Sequence, residues 1–178
     1  MIQIKKIALM CRAAKRIVLH DTAFGQWLGD GWAMYNMAGM PRMDRETVYA
    51  VLEVKEEDRG TGKTEVYQEQ MEGAVQYEEF PDSKDEILPM KLPVSLSVDG
   101  TDYMIFLAGD DLAMVDKEYM KPIKAREPVT FHIRCDNNGN MVIVVKEGAF
   151  IQAVMWPDLT VENRIRKYII EINKRMND

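Results

Sequence analysis

Short runs of β-favouring residues recur along this chain, and tight-turn residues separate them. Asp30-Gly31 lies between two short runs that each carry a tryptophan, Trp27 and Trp32. Asp99-Gly100 separates residues 94–98 from 103–107 in the same way. An Asp-Gly pair favours the backbone angles of a two-residue hairpin, so these segments predict antiparallel hairpins.

Other strands are predicted by alternation and by β-favouring composition. Residues 129–135 place Val, Phe, Ile and Cys at alternate positions, which predicts one buried face and one wetter face bearing Thr130, His132 and Arg134. The acidic residues 65–90 fit neither period well and are interpreted as an edge strand and a loop. The remaining predicted strands are 16–19, 47–54, 112–115, 141–145 and 149–155.

An amphipathic helix is predicted at each end of the chain. Apolar residues at helical spacing, from Ile4 to Ala14, predict a helix over residues 3–16. A second apolar stripe, from Val161 to Met176, predicts a final helix that Thr160 caps. One helical turn is expected at 116–120, before Pro122.

These elements predict an α+β protein with a mostly antiparallel sheet or sheets of about eight to ten strands and an amphipathic helix at each terminus. A chain of 178 residues can bury a sizeable core, and we expect one compact unit over residues 1–178. The alternative is a division into two subdomains of about 1–90 and 91–178.

The apolar stretches, the N-terminal pattern and the cysteine count indicate the cellular location to expect. No apolar stretch approaches the roughly 20 residues that span a bilayer, and the N-terminus lacks a signal-peptide pattern. We therefore expect a cytoplasmic protein without a membrane partner. The two cysteines, Cys11 and Cys135, are too few for a disulfide scaffold, and we expect reduced thiols in packed positions.

Charge is distributed unevenly along a chain whose net charge is −6. Residues 1–20 contain five bases and no acid, residues 53–86 contain twelve acids and four bases, and residues 160–176 contain five bases and two acids. Basic helix faces can contact nucleic-acid phosphates without reading sequence, although a solvated face is the commoner explanation. The candidate phosphate-contacting residues are Lys5, Arg12, Lys15, Arg16, Arg164, Lys167, Lys174 and Arg175.

No motif identifies a reaction or a cofactor, and no catalytic residue is assigned. The stretch from Gly60 to Thr64 resembles the end of a phosphate-binding loop, but position 57 is Glu where that loop needs Gly, so an ordinary hairpin turn is predicted. His20 and His132 are interpreted as structural or surface residues.

Two other features leave alternatives open. Asp110, Asp111 and Asp116 form a carboxylate cluster that could bind a divalent cation or perform acid–base chemistry, but turns also collect solvated Asp residues. Methionines at 34, 37, 40 and 43 form either an adaptable contact surface or core filling.

Three segments carry a resemblance: the basic N-terminal helix, the hairpin of residues 27–33, and residues 112–122. Together they resemble uncharacterised proteins of bacterial phages and mobile elements, some of which are similar to DNA sliding clamps. Such clamps are acidic outside, line a central hole with basic helices and close their sheets across subunits. The resemblance therefore implies a homo-oligomer that encloses DNA, although this chain is short for a two-domain clamp and its helices lie at the termini.

Three hypotheses follow. The leading one is a non-enzymatic binding or assembly protein, a sliding-clamp-like module whose basic helix faces contact the DNA backbone. The alternative is an enzyme, or a protein that binds a small ligand or a metal, with the Asp110, Asp111 and Asp116 cluster and His132 in one pocket. The third is a structural partner protein that meets another chain through its Met-rich loop and acidic segment.

Overall fold

A computed structural model describes residues 2–22, 25–60, 62–69, 86–109, 111–136 and 139–177. Past Arg166, side chains are described at Tyr168 and Arg175. The helices are α1 (Ile4–Ala14), α2 (Arg45–Val51) and α3 (Leu159–Asn177), with short 3-10 turns at Glu56–Asp58 and Lys117–Met120. The strands are β1 (Arg16–Thr22), β2 (Gly25–Gly29), β3 (Ala33–Asn36), β4 (Glu65–Glu69), β5 (Met90–Val98), β6 (Thr101–Ala108), β7 (Asp111–Asp116), β8 (Val129–Cys135), β9 (Met141–Glu147) and β10 (Phe150–Met155).

Ten strands in the described residues form two sheets, which confirms the predicted α+β class. The large sheet has seven strands in the order β4-β1-β2-β3-β10-β9-β8, so it joins strands from both halves of the chain. All of its pairs are antiparallel except β1 with β4. The small sheet is an antiparallel β5-β6-β7 meander. The two predicted Asp-Gly hairpins are confirmed as the β2–β3 and β5–β6 turns.

The main core lies between one face of the large sheet, helices α1 and α2, and one face of the small sheet. Strand β6 shows how the period of two divides its side chains between layers. Met104 and Phe106 enter the main core, whereas Tyr103, Ile105 and Leu107 point to the opposite face. The first turns of α3 cover that opposite face with Val161 and Ile165, so both faces of the small sheet are packed.

Helix α1 confirms the predicted N-terminal helix, but it ends at Ala14 and not at residue 16. Ile7, Ala8 and Cys11 are buried against the large sheet, as the apolar spacing requires. The helix ends because Lys15 adopts a left-handed conformation, with φ of 52°, at the C-cap. Arg16 therefore begins β1 and is not part of the helix.

The predicted strand at 47–54 is wrong, because this segment contains α2. Asp44 caps the helix: its carboxylate oxygen Oδ1 accepts a hydrogen bond from the Thr47 N–H at 2.8 Å. Val48, Tyr49 and Leu52 are buried at helical spacing. The β-branched and aromatic residues here suggested a strand, but the N-cap and tertiary packing outweigh that propensity.

Three smaller predictions also need correction. The C-terminal helix is capped by Asp158, whose Oδ1 accepts from the N–H groups of Thr160 and Val161, so Thr160 is not the cap. The face of β8 that was expected to be wetter includes Arg134, which is buried. Of the two cysteines, Cys11 is buried as expected, but Cys135 is exposed.

The 65–90 region contains β4, an edge strand of the large sheet as predicted, whereas the loop expected after it falls mainly on residues 70–85, outside the described residues. The predicted hairpin turn at 60–64 includes residue 61, which lies outside the described residues. The described residues of this stretch lie between the 3-10 turn and β4, so they open no helix and do not join two hairpin strands. None of the helices in the described ranges is both long and apolar enough to cross a membrane.

Candidate functional site

Two of the predicted basic residues, Arg12 and Lys15, lie on a cavity of about 360 Å³ beside the end of α1. Arg12 lines it from α1 and Lys15 from the C-cap, and Lys55 and Lys63 line it from the segment that joins α2 to β4. All four side chains are exposed. We call these four residues, Arg12, Lys15, Lys55 and Lys63, the cationic site.

Lys5 extends the cationic site along α1. It is exposed and lies seven residues before Arg12, which places the two on one side of the helix, about 10 Å apart along its axis. The exposed flank of α1 therefore presents positive charge over two turns and leads to the cavity.

Acidic groups also lie at the cationic site and reduce its charge. Glu53 and Asp58 line the same cavity. Lys63 Nζ donates a 2.5 Å hydrogen bond to the Glu57 carbonyl, and Lys55 Nζ lies 3.9 Å from the Glu57 carboxylate. Because these contacts are exposed, water and salt screen them strongly, and both lysines keep donors for an incoming anion.

Two of the other predicted cations, Arg16 and Arg164, have contacts elsewhere in the fold. Arg16 lies on β1, with its guanidinium carbon 5.4 Å from the centre of the Tyr67 ring, so it is not on the α1 face as predicted. Arg164, on α3, pairs with Asp99 at 3.1 Å. Arg175 is exposed near the end of α3. The side chains of Lys167 and Lys174 lie outside the described residues.

The predicted carboxylate cluster is not assembled in the described part of the chain. Asp111 and Asp116 lie at opposite ends of β7, about 17 Å apart along an extended strand. Asp111 pairs with Arg166 at 3.0 Å, and Asp110 lies outside the described residues. Within the described ranges, no three Cys, His, Asp or Glu side chains converge as a metal site would require.

His132 belongs to a different group, which we call the Glu86 cluster. One oxygen of Glu86 accepts from Arg134 Nε at 2.8 Å, and the other accepts from Lys146 Nζ at 2.8 Å and lies 3.3 Å from His132 Nδ1. Burial alone would raise the pKa of Glu86, but the Lys146 and Arg134 hydrogen bonds outweigh it, so the pKa is lowered. Burial lowers the pKa of His132 despite the nearby carboxylate.

A second cavity, of about 340 Å³, was not predicted from the sequence. Four aromatic and two acidic side chains that converge from several elements line it. We call it the aromatic pocket and define it by Trp32, Tyr103, Asp116, Tyr119, Trp156 and Asp158.

Backbone contacts hold the walls of the aromatic pocket. The Trp156 N–H donates to the Trp32 carbonyl at 2.8 Å, which joins the β2–β3 turn to the end of β10. The Tyr103 hydroxyl donates to Asp158 Oδ2 at 3.0 Å. Asp158 also caps α3. Its carboxylate therefore contacts both the N-terminus of α3 and Tyr103 of the small sheet, and it lines the pocket.

Burial and nearby carboxylates raise the pKa values of two groups in this region. Burial, the Asp158 hydrogen bond and nearby negative charge raise the pKa of Tyr103 to about 12. Burial, with the nearby charges of Glu118 and Asp30, raises the pKa of Asp116. In the described residues, neither Asp116 nor Asp158 forms an ion pair within 4 Å, although the charge of Lys121 lowers the pKa of Asp116 in part.

The methionine loop divides between core and surface. Met34, Met37 and Met43 are buried, whereas 42% of Met40 is exposed beside a shallow apolar cavity of about 290 Å³. Core filling therefore accounts for three of these four residues.

No family model, curated protein or solved structure matches this chain. The cationic site and the aromatic pocket are therefore the features of the molecule that bear on its function.

Proposed function

We propose that this protein is a non-enzymatic binding protein that contacts the phosphate backbone of DNA through the cationic site. One observation supports the proposal. Arg12 and Lys15, at the end of α1, share a cavity with Lys55 and Lys63, which lie in an acidic part of the sequence after α2. The fold thus gathers cations that the sequence distributes between a basic and an acidic region.

Phosphate contact fits the chemistry of this site. Flexible, exposed Lys and Arg side chains bind phosphate oxygens as charges without reading the bases, and they release counterions from the nucleic acid when they do. Glu53 and Asp58 line the same cavity and disfavour tight binding of a small free anion. A polyanion can still bind, because it contacts Lys5 and the four cations of the site at the same time. We therefore expect modest, sequence-indifferent and salt-sensitive binding.

Fluorescence anisotropy with labelled double-stranded DNA of two unrelated sequences tests the proposal. Over about 50 to 200 mM salt, the slope of log affinity against log salt is about −3.6 for the four cations of the cationic site and about −4.5 when Lys5 is a fifth contact. The double variant Arg12→Glu and Lys15→Glu is expected to flatten that slope by about 2.

The matched control is Lys117→Glu with Lys121→Glu, which changes net charge equally at exposed residues outside the cationic site. Circular dichroism verifies that each variant is folded. Equal weakening in both double variants would point to general charge attraction and would contradict the assigned site. Absence of binding by the wild-type protein at low salt would refute the DNA proposal itself.

We also propose self-association into a clamp-like ring, in which several copies present their cationic sites to one duplex. Size-exclusion chromatography with light scattering measures the solution mass directly. A closed trimer or another ring-sized oligomer supports the ring, and a monomer at all concentrations refutes it. A monomer would not refute DNA contact by a single chain, which the anisotropy experiment tests separately.

A further inference from the structure

The aromatic pocket has an electrostatic character opposite to that of the cationic site. Two carboxylates, Asp116 and Asp158, line it, and no lysine, arginine or histidine among the described residues does so. A neighbouring cavity of about 350 Å³ shares Asp116 and Tyr119 and adds Asp30 and Glu118 to its walls. The two cavities therefore bring four carboxylates together, and Lys121, which pairs with Glu118, and Arg16, which lies near Asp30, offset part of that charge.

Its aromatic side chains add a second cation-favouring feature. Two indole rings and two phenol rings line the same cavity, and the face of an aromatic ring attracts cations through its quadrupole. Trp32 is 55% exposed at the hairpin turn, although a large apolar ring gains most free energy from burial. The Trp32 indole lines the cavity and is also accessible to a ligand.

The walls are fixed before any ligand arrives. The Asp30 carboxylate accepts hydrogen bonds from the N–H groups of Trp32 and Ala33 at 2.9 Å each, which sets the hairpin turn. The Tyr119 carbonyl accepts from the buried Tyr35 hydroxyl at 2.8 Å. A preorganised pocket loses little conformational entropy on binding.

We infer that the aromatic pocket binds an organic ammonium group, with Trp32 and Trp156 against its alkyl substituents and Asp116 and Asp158 balancing its charge. A quaternary ammonium fits best, because it needs no hydrogen-bond acceptor for each substituent and its diffuse charge suits aromatic faces. The same chemistry is carried by choline and by the side chain of a trimethylated lysine.

Isothermal titration calorimetry with choline and its uncharged isostere 3,3-dimethylbutan-1-ol tests this inference on the wild-type protein. The two molecules have the same shape and differ in charge, so the comparison does not depend on the folding of a variant. Choline is expected to bind at least about tenfold more tightly. Equal affinities, or no detectable heat with choline and with a trimethyl-lysine peptide, would overturn the inference.

Two variants assign the binding to the pocket. Trp32→Leu removes an exposed ring, and Asp116→Asn removes a charge while keeping an oxygen for the Glu118 N–H. Each is expected to weaken choline binding by about fivefold to tenfold and to leave the binding of 3,3-dimethylbutan-1-ol less affected. Unchanged choline affinity in both folded variants would contradict the assigned site.

The source of the ammonium group is identified by two peptides of one sequence, with lysine or trimethyl-lysine at the centre. Tighter binding of the methylated peptide than of choline supports a protein-borne ligand. Choline binding that equals or exceeds peptide binding supports a small molecule.

Discussion

Replacement of Glu86 by Gln tests how strongly one carboxylate stabilises the fold. Glu86 is the anion that faces Arg134 and Lys146, whose side chains are only 1% and 8% exposed. Gln removes the charge but keeps the size, so both buried cations lose their ion pair with this residue. Breaking a buried pair from one side costs about 3 kcal/mol.

That loss is measurable by urea denaturation. With a slope of about 2 kcal/mol per molar urea, the midpoint is expected to fall by about 1.5 M. The thermal midpoint is expected to fall by about 6 to 12 °C for a chain of this size. The control is Glu118→Gln, which removes a surface pair with Lys121 whose side chains are both 57% exposed, and its expected cost is below about 1 kcal/mol.

The pH dependence provides a second test of the same carboxylate. The pKa of Glu86 is lowered from its ordinary value of 4.5, so the folded state favours the ionised form. Its stabilising contribution is present above the unfolded pKa and is lost as the pH falls through the folded value. The difference in unfolding free energy between wild type and Glu86→Gln should therefore be largest at neutral pH and decrease below about pH 4. Equal midpoints for Glu86→Gln and Glu118→Gln at neutral pH would refute this reasoning.

Three other perturbations have expected outcomes. Asp44→Ala is expected to cost about 1 kcal/mol by urea denaturation because α2 loses its N-cap, whereas Asp44→Ser should retain most stability. Gly29→Ala is expected to cost about 3 kcal/mol or more, because the new Cβ would lie 1.7 Å from the Ala33 carbonyl oxygen; normal stability would contradict the β2–β3 geometry. In native protein, a thiol reagent should label exposed Cys135 rapidly and leave Cys11, whose pKa burial raises, unlabelled until denaturant is added; Cys135→Ser should abolish the rapid phase.

Part of the cationic site could be predicted from the sequence. The spacing of Lys5, Arg12 and Arg16 against an apolar stripe indicated an exposed basic flank on α1, and the structure places Arg12 and the candidate residue Lys15 at the cavity. Lys55 and Lys63 escaped prediction because acidic neighbours surround them in the chain. Arg16 was misplaced because a helical wheel cannot show that Lys15 ends the helix in a left-handed conformation.

The aromatic pocket left only a faint signal in the sequence. Trp32 follows an Asp-Gly pair and Trp156 precedes Pro157, so each tryptophan is next to residues that are typical of turns. Nothing local indicates that β10 pairs with β3 and brings the two residues together. Asp116 was instead grouped with Asp110 and Asp111, which are close to it in sequence. Strand β7 is extended, so Asp111 and Asp116 lie far apart at its two ends.

The sequence by itself determined the elements whose signals are local: the period-two strands, the Asp-Gly hairpins and the amphipathic α1. Tertiary structure decided the identity of α2, the partners of Glu86, the order of strands in the large sheet and the composition of both candidate sites. The physical reason is the range of the interactions. Turn chemistry and side-chain periodicity act over a few residues, whereas burial, charge pairing and strand order depend on residues that only the complete fold brings together.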